Sequence, residues 1–349
     1  MPGFKGPPFR LKLIINRISL EKEKWIEDYD LIFSRSPIYS LKEQFELPLL
    51  IPKCDLFWSP HYNIPLSPLR ARKRVVTIHD ACHLTLPNLL SIVERSYAKL
   101  MFRQAAARSD HVITDSHFSS AELMKFLRLS EGTLSVIYPG VDVKRFTSKS
   151  KQEEALTLFK KYSLPDTFFL FVSNLKSHKN IKLILNAYEK FDIELPLVVV
   201  GKKSHLLNLD PSVCRIETSP RLQKKVVFTG EVLDEELPLL YSHAAALVFP
   251  SYYEGFGLPP LESMAAGCPV ISSNRASLPE VCGDAALYID PDSPEQLYDA
   301  MQTVMNQKFL RAEKIRKGKD RVSLFSWDST IASYRKLFEK VVYAHCHRP

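Results

Sequence analysis

The apolar run Ala244–Phe249 and the stretch 250–270 behind it, Pro-Ser-Tyr-Tyr-Glu-Gly-Phe-Gly-Leu-Pro-Pro-Leu-Glu-Ser-Met-Ala-Ala-Gly-Cys-Pro-Val, leave few folds open. The run reads as a buried strand. Pro259 and Pro260 suit a first helical turn, Gly267 a helix stop, and Pro269 opens another strand. Strand, glycine-bearing loop, helix and strand in that order form the unit of a parallel sheet, and such sheets bind ligands at this kind of loop. Gly255 and Gly257 let backbone come close to a bulky polar ligand, and free N–H groups with a helix N-terminus attract anionic oxygens. Glu254, just before the helix, can accept hydrogen bonds from sugar hydroxyls. Glu262 follows it at E-x7-E spacing.

The alternation continues through all 349 residues, long enough for two cores. Strands are expected at 11–16, 30–34, 55–59, 75–79, 111–115 and 134–138, then at 168–173, 197–200, 226–229, 245–249, 269–272 and 287–289. The spacing over 93–108 predicts a helix with Val93, Tyr97, Leu100 and Met101 on its buried face. A Tyr-Pro-Gly-Val-Asp segment and a lysine-rich connector mark a boundary near residue 150. Domains are therefore expected at 1–150 and 151–327, with a closing helix at 328–349.

Read with its surroundings, the 250–270 stretch resembles the nucleotide-sugar signature of glycosyltransferase family 4, the group 1 glycosyl transferases, which are retaining enzymes of the GT-B fold. The resemblance implies an α/β chain of two Rossmann-like parallel-sheet domains facing a cleft. The first would be the acceptor side, the second would hold a nucleotide-diphosphate sugar, and the last helix would return to the first. It extends to Phe-Val-Ser-Asn-Leu-Lys-Ser-His-Lys-Asn at 171–180, which follows the family's G-x-L-x-x-x-K-N pattern with Ser173 at the glycine position.

Lys179 is then the cation expected at the donor diphosphate, with Glu254 orienting the donor sugar and His61 beside the reacting groups; these three form the expected catalytic set. Substrate contacts are expected from His79, Asn174, Gly255, Phe256, Gly257, Leu258 and Glu262, the last on the nucleotide ribose. Val232, in the Phe-Thr-Gly-Glu-Val loop, is expected at the base. His61 and His79 both fall at the carboxyl ends of strands, the edge where ligands bind. Ser116, Ser119 and Ser120 are read chiefly as helix caps. The D-x-D strings Asp28-Tyr29-Asp30 and Asp290-Pro291-Asp292 are read as incidental, so neither metal nor cofactor is expected beyond the sugar-nucleotide donor itself. Variants Glu254→Gln and Lys179→Ala are expected to lower turnover far more than stability.

The formal charge of +8 favours anionic partners without choosing among them. No aromatic-basic interleaving supports nucleic acid, and no G-x-G-x-x-G supports a nicotinamide dehydrogenase. Six scattered cysteines without C-x-x-C spacing argue against a zinc site or a disulfide framework. No apolar run reaches the roughly 18 residues of a membrane span. A cytoplasmic location is expected, with Arg70, Arg72, Lys73 and Arg74 offering at most weak contact to an anionic membrane face. The resemblance implies a glycan or lipid-linked acceptor and a place in envelope polysaccharide synthesis, with a mannose-like hexose as donor sugar. One departure stands out: between Gly6 and Gly132 there is no glycine, whereas relatives carry a glycine-rich loop after their first strand. A weakly active or inactive sugar-nucleotide-binding subunit is the alternative that this raises.

Overall fold

The computed structural model describes residues 9–16, 26, 29–38, 40–86, 91–147, 152–201 and 210–343. Two compact units emerge, one of residues 1–140 with 327–349 and the other of residues 141–326.

The second unit is built on a six-stranded sheet. Its strands are β7 (Phe168–Val172), β8 (Leu197–Val200), β9 (Val226–Gly230), β10 (Ala244–Phe249), β11 (Val270–Ser273) and β12 (Ala286–Ile289). Their order is β12-β11-β10-β7-β8-β9 and every pairing is parallel. Phe-Phe-Leu-Phe-Val, Leu-Val-Val-Val and Ala-Ala-Ala-Leu-Val-Phe carry almost no polar side chain because helices cover both faces of the central strands. The topology has a direct consequence for binding. From β7 the chain moves outward through β8 to β9, and from β10 it moves the other way through β11 to β12. The loops leaving β7 and β10 therefore part company at the middle of the sheet and open a crevice there.

In the first unit, β3 (Cys54–Ser59), β4 (Ala71–Thr77), β5 (His111–Thr114) and β6 (Leu134–Val136) form a parallel sheet in chain order. An opening strand, β1 (Lys12–Asn16), pairs in parallel with β2 (Asp30–Ser34), and among the described residues no ladder joins this pair to the other four. The loop after β1, where the resemblance implies a glycine-rich turn, falls in residues 17–25, outside those described.

Helices α1 (Leu41–Leu50), α2 (Ile92–Arg108) and α3 (His117–Leu127) complete the unit, joined by the C-terminal helix Trp327–Tyr343. That helix packs Tyr334 and Phe338 on Trp58 of β3, with ring centroids 5.1 and 5.5 Å away. Thr330 at its start donates to the Tyr138 carbonyl at 2.7 Å. Leu337, Phe338 and Val341 share a buried cluster with Val75, Ile113 and Ile137, and each such side chain contributes about 1.5–3 kcal/mol.

Helix α2 corrects one expectation. Its buried residues are Ala98, Met101, Phe102 and Ala105, while Val93 and Leu100 face water. Two alanines one turn either side of Met101 and Phe102 let the helix approach its neighbours closely, so small size rather than hydrophobicity chose the inward face. Among the described residues no helix is long and apolar enough to cross a membrane.

Candidate functional site

The divergent loops at the middle of the second sheet bring Lys179 and Glu254 together. Lys179 closes a short helical turn after β7, and Glu254 lies in the loop between β10 and helix α6 (Leu258–Ala265), the latter preceded in the chain by α4 (Ile181–Lys190) and α5 (Leu237–His243). The Lys179 Nζ stands 2.8 Å from each Glu254 carboxylate oxygen, and the two side chains are only 14% and 11% exposed. Expected as separate contacts, they form one ion pair. An ammonium has three donors, so with two directed at Glu254 one remains for a further acceptor. With both side chains this far from solvent, altering either is expected to cost stability as well as turnover.

A residue absent from the expected set holds these loops in place. Asn180 is buried at φ 59° and caps α4, its Oδ1 accepting from Leu183 N at 3.3 Å. Its Nδ2 donates to the carbonyls of Pro250 at 3.1 Å and Pro291 at 2.8 Å, tying together the loops after β7, β10 and β12. The Ser277 hydroxyl lies 2.9 Å from the Glu254 carbonyl and 2.8 Å from that of Phe256. Asn180 stood next to Lys179 in the quoted motif, but its role depends on strands distant in sequence.

Gly257 caps α6 at φ 118°, and a Cβ there would lie 3.0 Å from Leu278. The backbone at 255–257 therefore reaches the start of α6, the end that the helix dipole makes positive, in a form no other residue adopts easily. The Phe256 side chain turns inward instead, 5% exposed and edge-on to Phe325 at 5.6 Å, so only its backbone can meet a ligand. Gly255 is buried, whereas Leu258 and Asn174 are exposed. Val232 is half-buried in the loop beyond β9.

Glu262 lies within α6 and accepts a hydrogen bond from the buried Tyr241 hydroxyl at 3.0 Å. Burial raises its pKa, opposed by that hydrogen bond and by the charge of Arg145.

In the first unit, His61 follows β3 and His79 follows β4, with ring centroids 6.5 Å apart. His79 Nδ1 lies 2.8 Å from Asp115 Oδ2, and its Nε2 lies 3.0 Å from the Pro60 carbonyl. Two acceptors favour two N–H donors, the imidazolium form, and its pKa is raised, chiefly by the Asp115 hydrogen bond. His61 behaves oppositely. Burial first, then repulsion from His79 and His83, lowers its pKa to about 4. Its Nδ1 accepts from Asn63 N at 3.2 Å, which leaves the proton of the neutral ring on Nε2.

Ser116 caps α3 by accepting from Ser119 N, as read from the sequence. The basic cluster at 70–74 differs from a free charged patch because most of it lies on β4. Arg72 pairs with Asp55 at 3.1 Å and Lys73 with Asp110 at 2.7 Å, and the Arg74 guanidinium donates to the carbonyls of Pro65 and Ser67. The second D-x-D string is also engaged, Asp290 and Asp292 flanking Arg275 at 3.4 and 3.9 Å. Asp28 of the first lies outside the described residues.

Residues 151–321 match the family model for glycosyl transferases group 1, and residues 2–145 match that for Glycosyltransferase Family 4. The chain belongs to the group 1 glycosyl transferases. It is 31% identical over 250 residues to the O-antigen chain mannosyltransferase RfbU of Salmonella typhimurium, covering 71% of this chain and 64% of that one. It is 27% identical over 325 residues to the O-antigen chain mannosyltransferase B of Escherichia coli, covering 89% and 80%. The chain thus spans just under two thirds of the Salmonella relative. Among solved structures, Anabaena HepE in complex with UDP-glucose superposes with a TM-score of 0.70 at 15% identity, over 95% of this chain and 91% of that one. The fold is GT-B, and the paired Lys179 and Glu254 lie in the portion matched by the group 1 model.

Proposed function

We propose that the protein is a retaining glycosyltransferase. It moves a hexose, mannose foremost, from a nucleotide-diphosphate sugar to a glycan or lipid-linked acceptor in envelope polysaccharide synthesis, without metal or cofactor. One observation carries this reading: a half-buried lysine-glutamate pair at the topological switch point of the second sheet, beside a helix N-terminus opened by Gly257. A cation and the positive end of a helix suit a diphosphate, and a carboxylate fixed by that cation suits sugar hydroxyls. The O-antigen mannosyltransferases among the relatives favour mannose and envelope glycans.

In this mechanism the acceptor hydroxyl attacks the anomeric carbon from the face the diphosphate leaves. A new C–O bond forms, the bond to the phosphate oxygen breaks, and the hydroxyl proton passes to a departing phosphate oxygen. Lys179 and the 255–257 backbone offset the negative charge that grows on the diphosphate, in a site where few waters compete. Glu254 orients the sugar, and Glu262, set by Tyr241, binds the ribose. His61, neutral with its proton on Nε2, donates a hydrogen bond to the reacting groups rather than acting as base. His79, whose two ring nitrogens face Asp115 and Pro60, fixes the charge behind it.

Peripheral contact with an anionic membrane face belongs to this proposal as well. Leu41, Phe45 and Leu49, exposed at four-residue spacing along α1, support it better than the engaged cations of β4. The test is a panel of nucleotide-diphosphate hexoses, read first as thermal stabilisation and then as product linkage by NMR. A new α-glycosidic bond from an α-configured donor supports the reading. Stabilisation by a donor without any transfer supports the inactive-subunit alternative, and no stabilisation by any donor defeats both.

A further inference from the structure

Asn63 is only 7% exposed, and the chemistry described so far makes no use of its side chain. Its amide lies between two helices. Nδ2 stands 2.8 Å from Glu43 Oε2 of α1, and Oδ1 stands 2.9 Å from the Tyr97 hydroxyl of α2. As a carboxylate Glu43 can only accept, so the amide nitrogen must face it, and the Tyr97 hydroxyl then donates to the amide oxygen. The chemistry of the two partners thus fixes which way the amide points.

Both helices are firm posts. Glu46, one turn beyond Glu43, accepts from the Ser34 hydroxyl at 2.9 Å and from the N–H groups of Arg35 and Ser36 at 3.0 and 2.8 Å, which ties α1 to the end of β2. Gln44 Oε1 accepts from Leu66 N at 3.0 Å, so α1 also holds the far side of the loop after β3. On α2, Tyr97 packs against the cluster that buries Ala98, Met101 and Phe102. Between these posts, the residue whose side chain is clamped is also the one whose N–H donates to His61 Nδ1. A buried amide costs desolvation that an apolar side chain would avoid, and its hydrogen bonds return a fixed direction more than net stability.

We propose that Asn63 is a positioning residue: clamped between Glu43 and Tyr97, it orients the His61 ring with Nδ1 occupied as acceptor and the Nε2 proton presented to the reacting groups. This rests on the role proposed for His61 above, and it assigns to Glu43, Asn63 and Tyr97 the task of holding that ring.

The test exchanges amide and carboxylate. Asn63→Asp sets two carboxylates against each other across the 2.8 Å contact. Combining it with Glu43→Gln rebuilds the bridge, the new amide donating and the new carboxylate accepting from it and from Tyr97. Nitrogen NMR spectra of the histidine rings, taken on the full chain without ligand at neutral pH, read the outcome, with the His61 signals assigned by their loss in His61→Gln. In the wild type Nδ1 should show the shift of a hydrogen-bonded acceptor, with the proton fixed on Nε2. In Asn63→Asp both ring nitrogens should move toward the averaged shifts of a mobile imidazole, and the double variant should restore them. Tyr97→Phe removes only the hydroxyl and should loosen the ring in the same direction, so it decides the matter if Asn63→Asp does not fold.

Transfer is followed with GDP-mannose as donor and methyl α-mannoside as acceptor. Misplacing a reacting group costs about 100-fold in rate, so kcat should fall by about that factor in Asn63→Asp and return to within about threefold of wild type in the double variant. KM for GDP-mannose should stay within about twofold, since Lys179 and Glu254 belong to the other unit.

A His61 ring unchanged in both Asn63→Asp and Tyr97→Phe overturns the proposal, because the bridge would then serve packing alone. A ring disordered in Asn63→Asp and not recovered in the double variant overturns it too, since the damage would be general. Ring order lost and regained without any change in transfer would uphold the bridge and defeat the role given to His61 in the proposed function. The ring spectra decide the bridge whether or not this acceptor is used.

Discussion

Lys179 and Glu254 offer a quantitative test, because each holds the other as well as serving the proposed chemistry. A double-mutant cycle uses Lys179→Met, which keeps the stem and removes the charge, and Glu254→Gln, which keeps the shape. At 2.8 Å the gross attraction is on the order of 4–6 kcal/mol for an effective dielectric near 20, and desolvation of two ions cancels much of it. Removing one partner strands the other charge at 11–14% exposure. Each single variant is therefore expected to lose about 2–3 kcal/mol, less than a fully enclosed charge would cost. The double variant strands nothing and should lose no more than either single, giving a coupling of about 2 kcal/mol. Urea unfolding reads the stability. Transfer rates should fall about 100-fold or more in each single variant, and the double should be no slower than the slower single, since the two act as a unit. Additive stability losses, or wild-type transfer by Lys179→Met, would refute the reasoning.

Three further outcomes are expected. Asn180→Ala removes hydrogen bonds to Pro250, Pro291 and Leu183 and forces a Cβ residue without a local partner into φ 59°; a loss of about 3 kcal/mol and a weakened response to sugar nucleotides should appear in thermal shift assays. Gly201→Ala would place a Cβ 2.1 Å from the Ser173 carbonyl oxygen, so the ends of β7 and β8 must part; chemical denaturation should show a cost of about 3 kcal/mol or more, with Gly132→Ala, whose Cβ meets nothing within 4 Å, as a near-neutral comparison. The histidines give opposite pH slopes. His61, lowered to about 4, makes stability fall as pH drops from about 6.5 to 4, because the unfolded chain takes up that proton first. His79, raised, contributes stability that is complete below about 6.5 and lost as pH rises through its folded value. Melting temperature followed against pH should show the alkaline loss diminish in Asp115→Asn.

Local pattern carried most of the strands, since short apolar runs bounded by turn residues can satisfy their backbone in few other ways. What it did not carry was adjacency. Lys179 and Glu254 each stood out within a motif, but their ion pair exists because β7 and β10 are neighbours, and that follows from strand order rather than from either segment. Asn180 escaped for the same reason: its partners Pro250 and Pro291 lie 70 and 111 residues away. On α2 the sizes of Val93 and Leu100 drew attention from Ala98 and Ala105, whose smallness set the buried face. The cations at 70–74 read as a patch only while their strand, and so their partners Asp55 and Asp110, was unplaced.

The difference between the two units follows from what each is proposed to recognise. A nucleotide-diphosphate sugar offers a diphosphate, and backbone N–H groups at a helix start recognise diphosphates, so glycines and prolines at fixed offsets record that function in one continuous stretch. The acceptor side is proposed to work through side chains instead. His79 draws its partners from Asp115, 36 residues on, and from the Pro60 carbonyl, 19 residues back, and His61 owes its lowered pKa first to burial and then to its histidine neighbours. Those surroundings follow from β3, β4 and β5 lying side by side, a property no single segment encodes.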